Sequence, residues 1–148
     1  MVARSRPANY DMIIECIAND PSKLGDVRLV RAYRDLVHME QVDLRVGGRY
    51  VVYGIVHLQA DGLIVPHYLL CTNEDDQYPV PYMAAFFAAY CGPVRSDWQL
   101  RYDAPGISWS LLPRLWIENP RFYEDLLNGD PHAVSCFESL KHLYARKP

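Results

Sequence analysis

Two histidines and a cysteine lie close together in a segment whose pattern predicts a β-hairpin. His57 and His67 flank Asp61-Gly62, a dipeptide typical of two-residue hairpin turns, and Cys71 follows shortly after. Imidazole and thiolate groups bind zinc, and they also serve as acids, bases and nucleophiles in catalysis. Whether these residues form a metal or catalytic site depends on the pairing of the two strands.

The predicted pairing separates the two histidines. With a two-residue turn, His57 opposes Pro66 and Val56 opposes His67. Because side chains alternate between the faces of a sheet, His57 and His67 then point to opposite faces. A zinc site usually needs three or four convergent ligands, so we expect no metal here and no cofactor. A slip by one residue would bring the histidines side by side, so the prediction depends on the turn.

Two further patterns suggest catalysis only weakly. His132 and Cys136 stand at i and i+4 of a predicted helix, a spacing that suits a Cys–His nucleophile pair. The competing interpretation is that Cys136 packs in the core while His132 lies near the exposed helix start, and the lack of a third, orienting residue favours it. The stretch "GISWS" from Gly106 to Ser110 lacks the final glycine of a nucleophile elbow. We therefore expect no enzyme, with a site assembled around Cys136 or His57 as the alternative.

An acidic run beside tyrosines is the main candidate for binding. Glu74, Asp75 and Asp76 fall in a predicted loop between strands, and Tyr78 and Tyr82 follow. Exposed aromatic and acidic side chains together would suit a basic partner surface or a cation. The competing interpretation is a solvated turn. These five residues are the predicted binding site.

The charge balance gives little support to nucleic-acid binding. The formal net charge is -3, whereas phosphate binding usually requires a basic excess. The alternative is a local basic groove that would hold a small molecule or nucleic acid. Its candidate residues are Arg28, Arg31, Arg34, Arg45 and Arg49.

The chain is expected to be cytoplasmic. Its first residues are polar and lack a signal-peptide pattern, and no apolar run reaches the ~18 residues of a membrane span. The four cysteines are scattered, which indicates free, buried thiols. A disulfide between Cys71 and Cys91 is the competing possibility.

The wider pattern predicts a single α+β domain over residues 1–148, with a β-rich core over residues 12–104. Strands are predicted at 12–18, 50–58, 63–72 and 98–102, the last half-buried through Trp98, Leu100 and Tyr102. Residues 83–90 read as a helical turn plus a strand or as one strand. A helix capped by Asp26 is predicted over 26–39, with a strand as the alternative.

The C-terminal part, residues 111–146, is predicted to be helical. One helix would start after Asn119 and stop at Gly129, and a second would start at Asp130. The second helix would bury a stripe of apolar residues: Val134, Phe137, Leu140, Leu143 and Tyr144. Since both faces of the central hairpin are apolar, we expect these helices to cover it.

Four stretches together resemble small bacterial and phage proteins with an SH3-like barrel, some of them immunity proteins encoded beside toxins. They are "MIIECIAND", "LRVGGRYVVYGI", "YLLCTNEDD" and "YPVPYMAAFF", and the matching residues are Cys16, Gly47, Tyr50, Asp75, Pro81 and Phe86. Residues 21–42 depart from the pattern because they are longer than the usual first loop. The resemblance implies a small SH3-like antiparallel barrel or curled sheet. It also implies the possibility of an immunity protein. Together with the acidic charge and the lack of a catalytic motif, this predicts a non-enzymatic, cytoplasmic protein whose partner is a basic toxin domain.

Overall fold

A computed structural model describes residues 12–36, 42–60, 62–103 and 108–145. Seven strands and four α-helices make up this part of the chain. The strands are β1 Ile13–Glu15, β2 Arg49–Val51, β3 Gly54–Ala60, β4 Leu63–Leu70, β5 Val80–Met83, β6 Trp98–Asp103 and β7 Ser108–Pro113. The helices are α1 Val27–Leu36, α2 Arg114–Glu118, α3 Phe122–Leu127 and α4 Pro131–Ala145, with 3₁₀ turns at Pro21–Lys23 and Ala84–Phe86.

The strands form two antiparallel sheets, and the α+β class is confirmed. One sheet pairs β1 with β2, and the other has the order β5-β4-β3-β7-β6. In the described part of the chain these sheets are not closed into a barrel, because β5 and β6 are the two edges of the larger one. The SH3-like barrel therefore stays a prediction.

The central hairpin has the predicted register. Ala60 pairs with Leu63, His57 with Pro66 and Val56 with His67. Gly62 has a φ of 75°, which glycine adopts without the strain that a Cβ would bring. Asp61 lies outside the described residues. The turn prediction thus held, and with it the separation of the two histidines.

The strand predicted over residues 50–58 is wrong as a single element. It is two strands, β2 and β3, in different sheets. Between them the Val52 amide donates to the Met12 carbonyl at 2.9 Å, and the Tyr53 amide donates to the Leu69 carbonyl at 2.8 Å. Both side chains at this crossing are buried. The sequence gives no sign of this crossing, because the residues on both sides of it are rich in β-branched and aromatic side chains that favour strands.

The first strand and the segment over residues 83–90 support each other. The Ala88 amide donates to Glu15 and the Ile17 amide to Phe86, while the Cys16 amide donates to Gly48 on the other side. Residues 84–86 form a 3₁₀ turn, and only an isolated bridge joins Phe87 to Cys16. The helical-turn alternative for this segment is therefore the better one.

Both faces of the large sheet are covered, as the apolar hairpin predicted, but the C-terminal helices cover only one of them. One core cluster packs Ile55 and Tyr68 against β1 and α1. The other packs Val56 and Leu69 against the C-terminal helices. Phe137 in α4 is fully buried in that second cluster.

Local capping signals predicted the helices well. The Asp26 carboxylate accepts from the Arg28 amide at 2.8 Å at the start of α1, while residues 37–39 of the predicted helix lie outside the described residues. The Asp130 carboxylate accepts from the Ala133 amide at 3.0 Å at the start of α4. Both contacts satisfy amides that a helix start leaves without intrahelical partners. Gly129 ends the α3 turn with a φ of 72°.

Three details of the C-terminal half differ from the prediction. The start of the predicted helical region, residues 111–113, belongs to strand β7, and the short helix α2 follows it. Leu143 does not belong to the buried stripe of α4, because it is 45% exposed. Of the three apolar residues of β6, Trp98 is buried, whereas Leu100 and Tyr102 are 51% and 70% exposed. The predicted half-buried alternation fails because β6 is an edge strand that extends beyond the core.

The cysteines are all free, so the Cys71–Cys91 disulfide is wrong. Only Cys16 is buried, while Cys91 is exposed and Cys71 and Cys136 are half-buried. Within the described ranges, none of the helices is long and apolar enough to cross a membrane.

Candidate functional site

The acidic run between β4 and β5 forms a tight turn that is closed by one of its own carboxylates. Asp76 Oδ2 accepts hydrogen bonds from the backbone amides of Thr72 and Asn73, both at 3.1 Å. The Asp76 amide returns a bond to the Asn73 carbonyl at 3.2 Å. Asp76 is therefore a structural residue of this turn.

Lys141 of helix α4 fastens the same turn from outside. Its Nζ donates to the Glu74 carbonyl at 2.5 Å and to the Asp76 carbonyl at 2.9 Å, and it lies 3.4 Å from Glu138 Oε1. The Lys141 side chain is only 12% exposed. A charged donor on two carbonyls is a strong contact, and it fixes the turn to the helix.

The other two carboxylates of the run face solvent. Glu74 and Asp75 are exposed, and no described side chain or amide pairs with either carboxylate. Lys141 and Asp76 hold the backbone of the turn, but neither of these two carboxylates has a described partner. The turn thus presents two acidic groups on a fixed support, an arrangement that would reduce the entropy lost if a ligand bound there.

The two predicted tyrosines differ in surroundings. Tyr78 is 39% exposed. Tyr82 is half-buried; burial raises the pKa of its hydroxyl to about 12, and the nearby Asp43 carboxylate adds to this rise. Tyr82 therefore keeps its proton at neutral pH and supports the turn from β5, whereas the Tyr78 side chain is exposed to solvent.

A cleft of about 870 Å³ opens beside the turn, between the segment around β2 and helix α4. Its lining mixes charges, with the acidic residues Asp43, Glu74 and Asp75 and the arginines Arg45 and Arg49. The full lining is Asp43, Leu44, Arg45, Gly48, Arg49, Tyr50, Val51, Tyr53, Cys71, Thr72, Asn73, Glu74, Asp75, Glu138, Lys141 and His142. Of the five predicted binding residues, Glu74 and Asp75 line the cleft, and Asp76, Tyr78 and Tyr82 do not.

Sequence reasoning missed most of this cleft. Asp43, Glu138, Lys141 and His142 carry no motif, and Lys141 reaches residues 65 and 67 positions away. The only sequence signal is a lysine within the buried stripe of a helix, next to Leu140. A charged residue at such a position usually has a specific partner.

The five arginines of the alternative basic groove do not gather in this cleft. Arg45 and Arg49 line it, whereas the arginines of α1 do not. Arg28 instead pairs with Asp26 at 3.2 Å.

The histidines and cysteines of the hairpin have structural contacts. His57 Nδ1 donates to the Trp109 carbonyl at 2.6 Å, and His67 Nδ1 donates to the Val65 carbonyl at 2.9 Å. His67 is 1% exposed, and burial lowers its pKa. Burial also raises the pKa of the Cys71 thiol to about 12, so it is protonated and a poor nucleophile at neutral pH.

His132 and Cys136 of helix α4 lie close together, and the described residues contain no candidate metal site. Cys136 Sγ lies 3.7 Å from His132 Nε2, so the predicted i, i+4 contact is present, with His132 exposed and Cys136 half-buried. Among the residues that the structure describes, no three His, Cys, Asp or Glu side chains are placed to hold a metal ion.

Comparisons with protein-family models, with curated proteins and with solved structures found no match to this chain. The resemblance to SH3-like immunity proteins therefore stays a prediction.

Proposed function

We propose that this protein is a non-enzymatic binding protein that uses the acidic turn to hold a basic surface of another protein. The observation that carries the proposal is the clamp of Lys141 on the Glu74 and Asp76 carbonyls. It fixes the backbone while the Glu74 and Asp75 carboxylates stay without described partners. A preorganised pair of free carboxylates favours fast, charge-steered association with a basic partner.

The most concrete form of this proposal is a cytoplasmic immunity protein that neutralises a bacterial toxin. A toxin with a basic active site would present the complementary charge. The net charge of -3 and the exposed acidic turn support this form, together with the resemblance to SH3-like immunity proteins. Tyr78, which is 39% exposed, would supply aromatic contact area beside the charges.

The cleft favours a second candidate, the binding of a small molecule. A volume of about 870 Å³ suits such a ligand, and the rim carries both carboxylates and guanidinium groups. A ligand with one cationic and one anionic group would match a lining that carries both Asp43 and Glu74 and the arginines Arg45 and Arg49.

The test is a pull-down with tagged protein from the source organism, followed by quantitative mass spectrometry. The variant Glu74→Lys/Asp75→Lys reverses the free charges, and Asp76 is left unchanged because it closes the turn. The matched control is Glu118→Lys/Glu124→Lys, which changes net charge equally at exposed positions on α2 and α3.

The proposal expects one protein at stoichiometric level with the wild type and the control, and its loss with the turn variant. Circular dichroism should show that all three proteins are folded. Equal capture by the turn variant would contradict the proposal. A wild-type bait without any protein partner would also contradict it and would favour the small-molecule candidate.

A further inference from the structure

The two edges of the large sheet are protected to different degrees. Edge strand β5 is short and contains Pro81, which has no amide hydrogen to offer to another strand. Edge strand β6 is longer and contains no proline. Natural proteins usually protect such an edge with proline, lysine, a bulge or a covering element. Within the described chain, β7 is the one strand that pairs with β6.

The β6 edge has backbone groups available for pairing. The Arg114 amide donates to the Asp97 carbonyl at 3.0 Å, which extends the β6–β7 ladder by one pair. Because hydrogen-bonded pairs alternate in an antiparallel ladder, residues 99, 101 and 103 bond to β7. The amide and carbonyl groups of Leu100 and Tyr102 then point away from the sheet.

The same two residues also expose apolar surface. Leu100 is 51% exposed and Tyr102 70% exposed. Tyr102 pairs with Trp109 of β7, which is 37% exposed. The ring of His57 packs against Trp109 with centroids 4.2 Å apart, so the apolar face continues onto β3. An open edge and an exposed apolar face therefore occur together on β6.

We propose that β6 pairs antiparallel with β6 of a second copy of this chain, with Leu100 on the twofold axis. In this register Leu100 bonds to Leu100 of the second copy in both directions, and Tyr102 opposes Trp98. The Trp98 amide already donates to Arg95, but its carbonyl can accept from Tyr102 of the second copy. The two copies then form one continuous sheet across the axis.

This register is favoured over both of its neighbours. With Gln99 on the axis, Trp98 would oppose Leu100 in the central pairs, and the Trp98 amide, which already donates to Arg95, could not complete them. With Arg101 on the axis, Arg101 would lie directly opposite Arg101 of the second copy, and like charges opposite each other destabilise a strand pair. With Leu100 on the axis, Arg101 opposes Gln99, whose amide oxygen can accept a hydrogen bond. The proposal is independent of the acidic turn, which connects β4 to β5 at the opposite edge of the sheet.

The first test is sedimentation velocity from low micromolar to near-millimolar protein, because pairing of one strand makes a small and therefore weak interface. The wild type should shift from monomer to twice the monomer mass as its concentration rises. Leu100→Lys should remain a monomer, since it places two ammonium groups on the axis. The control Leu127→Lys removes an equally exposed leucine on α3 and should dimerise like the wild type. A wild type that stays monomeric throughout would overturn the proposal.

A crosslinking test locates the axis. In a Cys91→Ser background, which removes the exposed cysteine, Leu100→Cys places two thiols at the axis. The Cα atoms of a hydrogen-bonded pair lie roughly 5.5 Å apart, within the disulfide range. Oxidation should crosslink Leu100→Cys and leave Gln99→Cys monomeric. Equal crosslinking of both, or a dimer that survives Leu100→Lys, would place the interface elsewhere and overturn the proposal. A monomer that carries a strand of another protein on β6 would also overturn it.

Discussion

Replacement of Lys141 by methionine tests how the acidic turn is held. Methionine keeps most of the apolar stem of Lys141, whose side chain is only 12% exposed. The substitution removes the donor to the Glu74 carbonyl at 2.5 Å and to the Asp76 carbonyl at 2.9 Å. Any loss of stability therefore comes mainly from these two bonds and from the ion pair with Glu138.

The magnitude follows from the exposure of each partner. A hydrogen bond from a charged donor contributes roughly 1.5–3 kcal/mol. Both carbonyls belong to a surface turn and can bind water after the substitution, which places the effect at the lower end. Glu138 is 44% exposed and 3.4 Å away, so its pairing adds little. We expect Lys141→Met to lower the free energy of unfolding by about 2 kcal/mol in total.

Urea unfolding measures the global loss, and amide hydrogen exchange measures the local one. The Thr72, Asn73 and Asp76 amides should exchange at least about tenfold faster in Lys141→Met, because the turn opens more often. The control is Lys23→Met at an exposed lysine, which should change stability by less than about 0.5 kcal/mol. If Lys141→Met has the stability of the wild type and its turn amides exchange at the wild-type rate, Lys141 does not hold the turn.

Two further predictions concern the packing of α4 and the buried histidine. Tyr144→Phe removes a buried hydroxyl that accepts a hydrogen bond from Trp98 Nε1 at 2.9 Å and donates one to Asp97 at 2.8 Å. We expect the free energy of unfolding, measured in urea by tryptophan fluorescence, to fall by roughly 2–3 kcal/mol. An unchanged free energy of unfolding would contradict these two contacts. Burial lowers the pKa of His67 in the folded protein below the 6.5 of the unfolded chain. The stability that the neutral, buried imidazole contributes is therefore present above pH 6.5 and is lost as the pH falls towards the folded-state pKa. The free energy of unfolding should fall by up to about 1.4 kcal/mol per pH unit in this window. His67→Met should flatten the fall in urea-unfolding stability between neutral and mildly acidic pH, whereas the exposed control His132→Gln should keep it; the same slope in both variants would contradict this origin.

Features with a local cause could be read from the sequence. The Asp-Gly turn set the hairpin register, and the register placed His57 and His67 on opposite faces. The helix caps at Asp26 and Asp130 were equally readable, because a carboxylate that accepts a nearby amide depends only on neighbouring residues.

Features that depend on residues distant in the chain could not be read from the sequence. The crossing at Val52 depends on a hydrogen bond to Met12. The exposure of Leu100 and Tyr102 depends on the position of β6 at the edge of the sheet. The candidate site shows the same division. The run from Glu74 to Asp76 was visible as an acidic turn, but Lys141, which holds it, is 65 residues away from Asp76. Asp76 was predicted as a binding residue, and no sequence signal indicated that its carboxylate also closes the turn.

The most direct test of the central claim is the association rate with the partner captured by the wild type, measured by stopped flow at several salt concentrations. The claim predicts that Glu74→Lys/Asp75→Lys associates roughly tenfold or more slowly than the wild type at low salt. It also predicts that the two rates converge in about 1 M salt, where charges are screened beyond about 3 Å. Equal rates of the turn variant and the wild type at low salt would contradict a role of the acidic turn in binding. A control Glu118→Lys/Glu124→Lys that is slowed as much as the turn variant would contradict it too.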